Sequence, residues 1–262
     1  MSGCDSTDIR LGVVSFLNSR PLIEGLEGDV GLHYAVPSAL PGMLRRGEVD
    51  ASLVPVIDLA RAGDTWERVS DACIGCDGEA MTVRVFSQVP ADQIDVLHVD
   101  PDSHTSVALA GLIWPRWYRR PIALQPLTYD RPLDDYGAVL LIGDKVVSPP
   151  THVFEYTIDL GGVWKEWTGL PFVFAVWAAR SDRDNTGLAV RLAAARDRGV
   201  SRLPEIAVEA GPALGWPVED AMDYLVNRLR FTITPEAEAG MQRFIEMAMD
   251  DDIIPRRRAL VS

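Results

Sequence analysis

Four loops gather small polar side chains where a hydrophobic strand gives way to a helix. Residues 13–22 read "VVSFLNSRPL" and deliver Ser15, Asn18, Ser19 and Arg20 ahead of or beside Pro21. Pro37 and Ser38 make a second such loop, "DSHTS" at 102–106 a third and "IGD" at 142–144, with Gly143 and Asp144, a fourth. Ligands of open α/β sheets sit in the crevice beyond the carboxyl ends of the strands, so loops of this design that converge form a binding site. Backbone N–H groups and hydroxyls at helix starts suit an anion, whatever the total charge of the chain. The local alternative is that each serine or threonine caps its helix, which stabilises by about 1 kcal/mol and needs no ligand. In "SHTS" three hydroxyls fall within four positions, more than a cap requires, and both readings stand there. Arg20 also has two: it pairs with a substrate carboxylate, or the following Pro21 aims it into solvent.

Other templates are missing. There is no G-x-S-x-G elbow, H-E-x-x-H pair, G-x-x-x-x-G-K-[ST] loop or G-x-G-x-x-G after the first strand. His33, His98, His104 and His152 are scattered, and only His104 sits in one of the four loops. Three cysteines fit a reducing compartment better than a disulfide framework. Cys73 and Cys76 form a C-x-x-C, yet the stretch runs through Asp77 and Gly78 into a strand rather than opening a helix, and no second pair completes a zinc site. No metal is expected. Trp164, Trp167 and Trp177 lie on apolar patterns and read as packing.

The formal charge of -13 opposes counterion release from nucleic acid and attraction to anionic lipid. The opening residues carry acids and no apolar run of the signal-peptide kind, and Cys4 lacks the run a lipoprotein signal would need. No later segment reaches the ~18 uninterrupted apolar residues of a membrane span. A cytoplasmic protein with no nucleic-acid or membrane partner is the expectation.

The elements that must carry the loops alternate. "IRLGVVS", "SRPLIEGL", "GLHYAV", "PSALPGMLRRGEV", "DASLVPV" and "IDLARAG" give a βαβα rhythm, with Ser38 as helix N-cap, Gly47 as stop, and a pair of strands ending at Ser87. A second unit starts near Pro90 with "IDVLHVD", the capped helix "SHTSVALAGLIW", and the strands "PIALQPL" and "YGAVLLIGD". "DLGGVWKEWTG" is a short helix, and "LPFVFAVWAAR" a strand covered on both faces. From Asn185 the pattern is helical through "VEDAMDYLVNRLRF" and "PEAEAGMQRFIEMAM", and "IIPRRRALVS" ends the chain in a solvated basic tail.

Taken together, "LGVVSFLNSRPLIEGL", "VPSALPGMLRRGEVDASLVPV", "CIGCDGEAMTVRVFS", "DPDSHTSVALAGLI", "AVLLIGDKVV" and "DLGGVWKEWTGLPFVFAVWAAR" resemble the chorismate dehydratases of the futalosine route to menaquinone, in order from about residue 9 to 254. The resemblance implies an α/β, two-lobed fold of the type II periplasmic-binding-protein kind, with two crossing strands and a helical C-terminus returning to lobe one. Lobe one would be 1–88 with 177–262 and lobe two 89–176, the crossings falling near Ser87 to Pro90 and Phe174 to Ala178. It implies dehydration of chorismate to 3-[(1-carboxyvinyl)oxy]benzoate without a cofactor, by a monomer or homodimer. Carried onto this chain, Asn18 is the catalytic residue. Ser103, Thr105 and Ser106 bind carboxylate, and Ser15, Ser38, Thr82, Ser87, Gly143 and Asp144 line the substrate cleft. Cys76 and Thr82 stand where the family usually shows serine, and the "SPPTHVF" connection departs from its pattern.

Three rivals are distinguishable. The related 1,4-dihydroxy-6-naphthoate synthases carry an S-P-C-P-N-D type first loop where this chain has "SFLNSRPL". A solute receptor needs an export signal, and a LysR-type effector domain needs a helix-turn-helix ahead of it. A cytoplasmic small-anion binder of the same fold is the remaining alternative.

Overall fold

The computed structural model describes residues 9–147 and 154–255. Cys4, His152, most of "SPPTHVF" and the basic run from 256 onward lie outside the described residues. The chain lays down β1 (Arg10–Val14), β2 (Gly31–Ala35), α1 (Leu40–Arg46), β3 (Ala51–Pro55), α2 (Val56–Ala62) and β4 (Trp66–Cys76). It continues through β5 (Val83–Ser87), β6 (Val96–Val99), α3 (His104–Arg116), β7 (Ala123–Pro126), β8 (Ala138–Ile142), β9 (Tyr156–Asp159) and α4 (Leu160–Thr168). Then come β10 (Phe172–Arg180), α5 (Thr186–Val200), α6 (Leu203–Ala210), α7 (Val218–Met222), β11 (Leu229–Thr232) and α8 (Pro235–Asp250).

These strands form two mixed sheets, one in the order β11-β4-β10-β3-β1-β2 and the other β7-β6-β8-β5-β9. In the first, β1 is parallel to β2 and β3, whereas β10 runs antiparallel to β3 and β4. Central β3 and nearly all of β10 are buried, as their unbroken apolar runs require when both faces of a sheet are covered. The helices after β10 return to this sheet: α5 packs on β4 and α8 on β10. Helix α3 follows β6 of the second sheet yet also packs on α2 and α8, so it lies where the two lobes meet.

The crossings differ from the expected ones. β5 pairs with β8 and β9, placing it in the second sheet, and β10 is in the first along its whole length. The chain therefore crosses at 77–82 and 169–171, where the end of β4 and the start of β10 lie side by side through the Cys76–Phe172 pair. Ser87, at the far end of β5, is inside lobe two.

Three local expectations also change. Helix α1 starts at Leu40 behind Ala39, and Ser38 is no cap: its backbone N–H donates to the Asp102 carbonyl at 3.1 Å. "SRPLIEGL" is not an α-helix: Pro21 lies inside a 3₁₀ stretch, Leu17–Leu22, and turns follow it. That stretch starts early because the Asp144 carboxylate, from the other lobe, accepts the Leu17 N–H at 3.2 Å. "VEDAMDYLVNRLRF" is not one helix: α7 passes into a π-helical turn, Asp223–Arg228, and then into β11. Leu229 and Phe231 are buried while Arg230 and Thr232 face out, a period of two that a helix cannot satisfy.

Candidate active site

Both lobes wall a cavity of about 60 Å³, lined from lobe one by Val14, Phe16, Asn18, Phe174, Tyr224 and Leu229 and from lobe two by Ser103, Thr105, Ser106, Ile142 and Gly143. Thr82 lines it from the crossing. One water needs roughly 10–15 Å³ of such space, so the cavity has room for several waters or a small organic molecule.

Asn18 projects from the turn after β1 and is almost wholly buried. Ser19 pins that turn, its hydroxyl lying 2.6 Å from the Val14 carbonyl and 3.0 Å from that of Phe16. The Asn18 Nδ2 donates to the Tyr224 hydroxyl at 3.1 Å, and the Tyr224 and Thr82 hydroxyls share a bond of 2.8 Å. Asn18 Oδ1 is buried with no protein partner. An unpaired buried acceptor costs about 1–3 kcal/mol, so this end of the amide calls for a donor from water or from a bound molecule. Burial pushes the Tyr224 phenol well above its ordinary value, so it serves as a neutral hydroxyl. Tyr224 is the one ionisable side chain among the described lining residues.

The opposite wall is built locally. The Ser103 hydroxyl accepts the Ser106 N–H at 3.1 Å and caps α3, so the capping reading holds for Ser103 while Ser103 and Ser106 also face the cavity. The Thr105 hydroxyl donates to the Phe174 carbonyl at 3.1 Å and receives the Ile57 N–H at 3.5 Å, tying α3 to lobe one. Gly143 must be glycine: its φ is +59°, and a Cβ there would sit 2.4 Å from the Phe16 ring.

Six expected site residues thus meet at the cavity: Asn18, Thr82, Ser103, Thr105, Ser106 and Gly143. Four do not line it. Ser15 follows β1 and its N–H continues the ladder to Ala35 at 3.1 Å. Ser38 stands beside Pro37, which does line the cavity. Ser87 is fully buried in lobe two, its hydroxyl accepting the Val89 N–H at 3.1 Å. Asp144 turns away because its carboxylate is engaged by Leu17 and, at 3.0 Å, by the Trp216 indole N–H. Arg20 reaches Tyr34 instead of the cavity, with its guanidinium 5.3 Å from the ring centre. The His104 Nδ1 lies 2.6 Å from an Asp58 oxygen, a contact between α3 and α2.

Cys73 and Cys76 both lie in β4, are buried and are not bonded to each other. Burial pushes the Cys73 thiol up to about 12 and the Cys76 thiol higher still, which removes the thiolate that redox or metal chemistry would need. Among the described residues no group of three His, Cys, Asp or Glu converges, and no helix is long and apolar enough to cross a membrane.

Tyr224 was legible only indirectly. It shares a helical face with Ala221 and Leu225, and a tyrosine on a buried face must find its hydroxyl a partner. The π-helical turn that presents it is of the kind often found at functional sites.

Two α/β lobes with a cavity between them have the architecture of the periplasmic-binding-protein fold. Two solved structures show the same fold. Protein AF1704 of Archaeoglobus fulgidus superposes with a TM-score of 0.73 at 14% identity, covering 94% of this chain and 98% of its own. The periplasmic aliphatic sulphonate binding protein SsuA of Escherichia coli follows with 0.63 at 15% identity, covering 96% and 94%. The sequence narrows the class: the chain belongs to the menaquinone biosynthesis family, whose model matches residues 9–250. It is 31% identical to the chorismate dehydratase of Thermus thermophilus over 261 residues, covering 90% of this chain and 93% of that protein.

Proposed function

We propose that the protein dehydrates chorismate to 3-[(1-carboxyvinyl)oxy]benzoate as a step of the futalosine route to menaquinone. The observation that carries this reading is the polar set Asn18–Tyr224–Thr82 facing the Ser103 and Ser106 start of α3 across an otherwise apolar cavity. Such a site binds a small anion through neutral donors and excludes water, which strengthens each hydrogen bond.

The reaction needs little more. The hydrogen on the ring carbon bearing the enolpyruvyl ether leaves as a proton, the C–O bond to the neighbouring hydroxyl breaks, and that oxygen departs as water while the ring becomes aromatic. Charge that builds on the ring carboxylate meets hydroxyl and backbone donors fixed in place beforehand. The lining residues offer no carboxylate or imidazole to take the proton. The substrate's own enolpyruvyl carboxylate takes it, held by the second N–H of the Asn18 amide, and passes it to the departing hydroxyl. The orphan Asn18 Oδ1 is suited to accept from the ring hydroxyl of the bound substrate.

Purified protein mixed with chorismate should consume the ring diene absorbance and yield a product lighter by one water in mass analysis. A pH–rate profile with an essential group near neutrality that vanished in His104→Ala would defeat the substrate-base mechanism. The fold likeness to binding proteins sustains a second reading, a cytoplasmic binder. Tight binding of chorismate with no loss of water would select it.

A further inference from the structure

Asp144 sits in the 3₁₀ turn after β8, on lobe two, yet the two donors its carboxylate engages belong to lobe one. Its Oδ1 accepts the Leu17 N–H at 3.2 Å and the Trp216 indole N–H at 3.0 Å, from residues 127 and 72 positions away. Each partner supports Asn18 from a different side. Leu17 is the residue before it in the chain. The Trp216 ring stacks on the Tyr224 ring, centroids 4.8 Å apart and 10° from parallel, and the Tyr224 hydroxyl takes the Asn18 side-chain N–H. One carboxylate from the far lobe therefore touches both the backbone before the amide and, through a stacked ring pair, the side-chain partner of the amide.

We propose that Asp144, Trp216 and Tyr224 are positioning residues that hold the Asn18 amide in its working orientation only when the lobes are closed. The inference rests on the reading of Asn18 as the amide that holds the substrate. Opening the cleft would withdraw the Asp144 acceptor and release Leu17 and Trp216 together. Phe16 against Gly143 sets the approach that brings Asp144 to them. A direct role in holding substrate fits poorly, because Asp144 points at lobe one and would set a negative charge against an anion. The charged and titratable groups near it are Arg20, whose guanidinium favours the ionised carboxylate, and Tyr224.

The experiment compares Asp144→Ala, Asp144→Asn and Trp216→Phe with wild type by amide hydrogen exchange without ligand, by kcat and KM with chorismate, and by melting temperature. Asp144→Ala should speed exchange across residues 17–22 by about tenfold and lower kcat about 10- to 100-fold, with KM within a few-fold, as expected when a reacting group is misplaced rather than removed. Asp144→Asn keeps an acceptor oxygen and should return both readouts to within about threefold of wild type. Trp216→Phe keeps the stack and loses the N–H, so it should fall between. Unchanged exchange and kcat in Asp144→Ala, or an Asn variant as impaired as the Ala variant, would overturn the proposal. If wild type does not dehydrate chorismate the proposed function fails, while the exchange arm still decides whether the latch exists.

Discussion

The two walls of the cleft are positioned in opposite ways. The α3 wall is assembled by its own neighbours: Ser103 caps the helix through Ser106, and the same short segment presents both residues to the cavity. The Asn18 wall is assembled from far away in the chain, by Tyr224, by Asp144 acting on Leu17, and by Thr82 at the crossing. A hydroxyl that only has to stand at a helix start is placed by local rules. An amide that has to point one end inward and keep the other paired needs distant partners and a closed cleft.

That contrast can be broken most sharply at Tyr224. Tyr224→Phe removes the acceptor of Asn18 and the partner of Thr82, and should lower kcat about 10- to 100-fold while the Ser103 wall still binds substrate. Steady-state kinetics with chorismate test this, and a pure KM effect would erase the distinction between the walls. Ser103→Ala should show the local wall failing locally: about 1 kcal/mol of lost cap, read as a melting temperature lower by ~2–4 °C, with KM affected more than kcat.

Asp144 carries a pH signature. Burial raises its pKa above the ordinary 3.8, so the folded state holds the proton more tightly than the unfolded chain does. Stability from this group is fully present below the unfolded value and declines as pH rises through the folded one. Asp144→Asn should therefore melt above wild type at neutral pH, and the gap should close under acid; a gap that widened under acid would show that the carboxylate is favoured as an anion. The smallest effect is at the thiols. Native protein treated with iodoacetamide near neutral pH should show no label on Cys73 or Cys76 by peptide mapping, because both are buried and held as thiols.

The legibility of the molecule follows the same division. The strands, the capped α3 and the loops carrying Asn18, Ser103 and Gly143 could be read from apolar period and from hydroxyls at helix starts. The lobe crossing could not, because "TVRVFS" looks the same whichever sheet it joins and only pairing with β8 decides. Ser87 was expected at the cleft for that reason, and it ends β5 as read, but at the end away from the cavity. Ser38 and Asp144 looked like binding groups because their types and places fit, but one is held by its backbone and the other by a partner on the opposite lobe. Tyr224 lay hidden in a helical pattern that breaks at a π-helical turn, where β11 claims the next residues for the sheet, and Trp216 in the short connection before α7.

Wild type and Asn18→Ala, each mixed with chorismate and followed by calorimetry for binding and mass analysis for loss of water, form one measurement that bears on the central claim. Wild type should bind and release the dehydrated product, and the variant should bind within about tenfold yet turn over ~10²–10³ times more slowly, as when a single preorganised hydrogen-bonding group is lost. Equal turnover by both, or binding without water loss by wild type, would contradict the account.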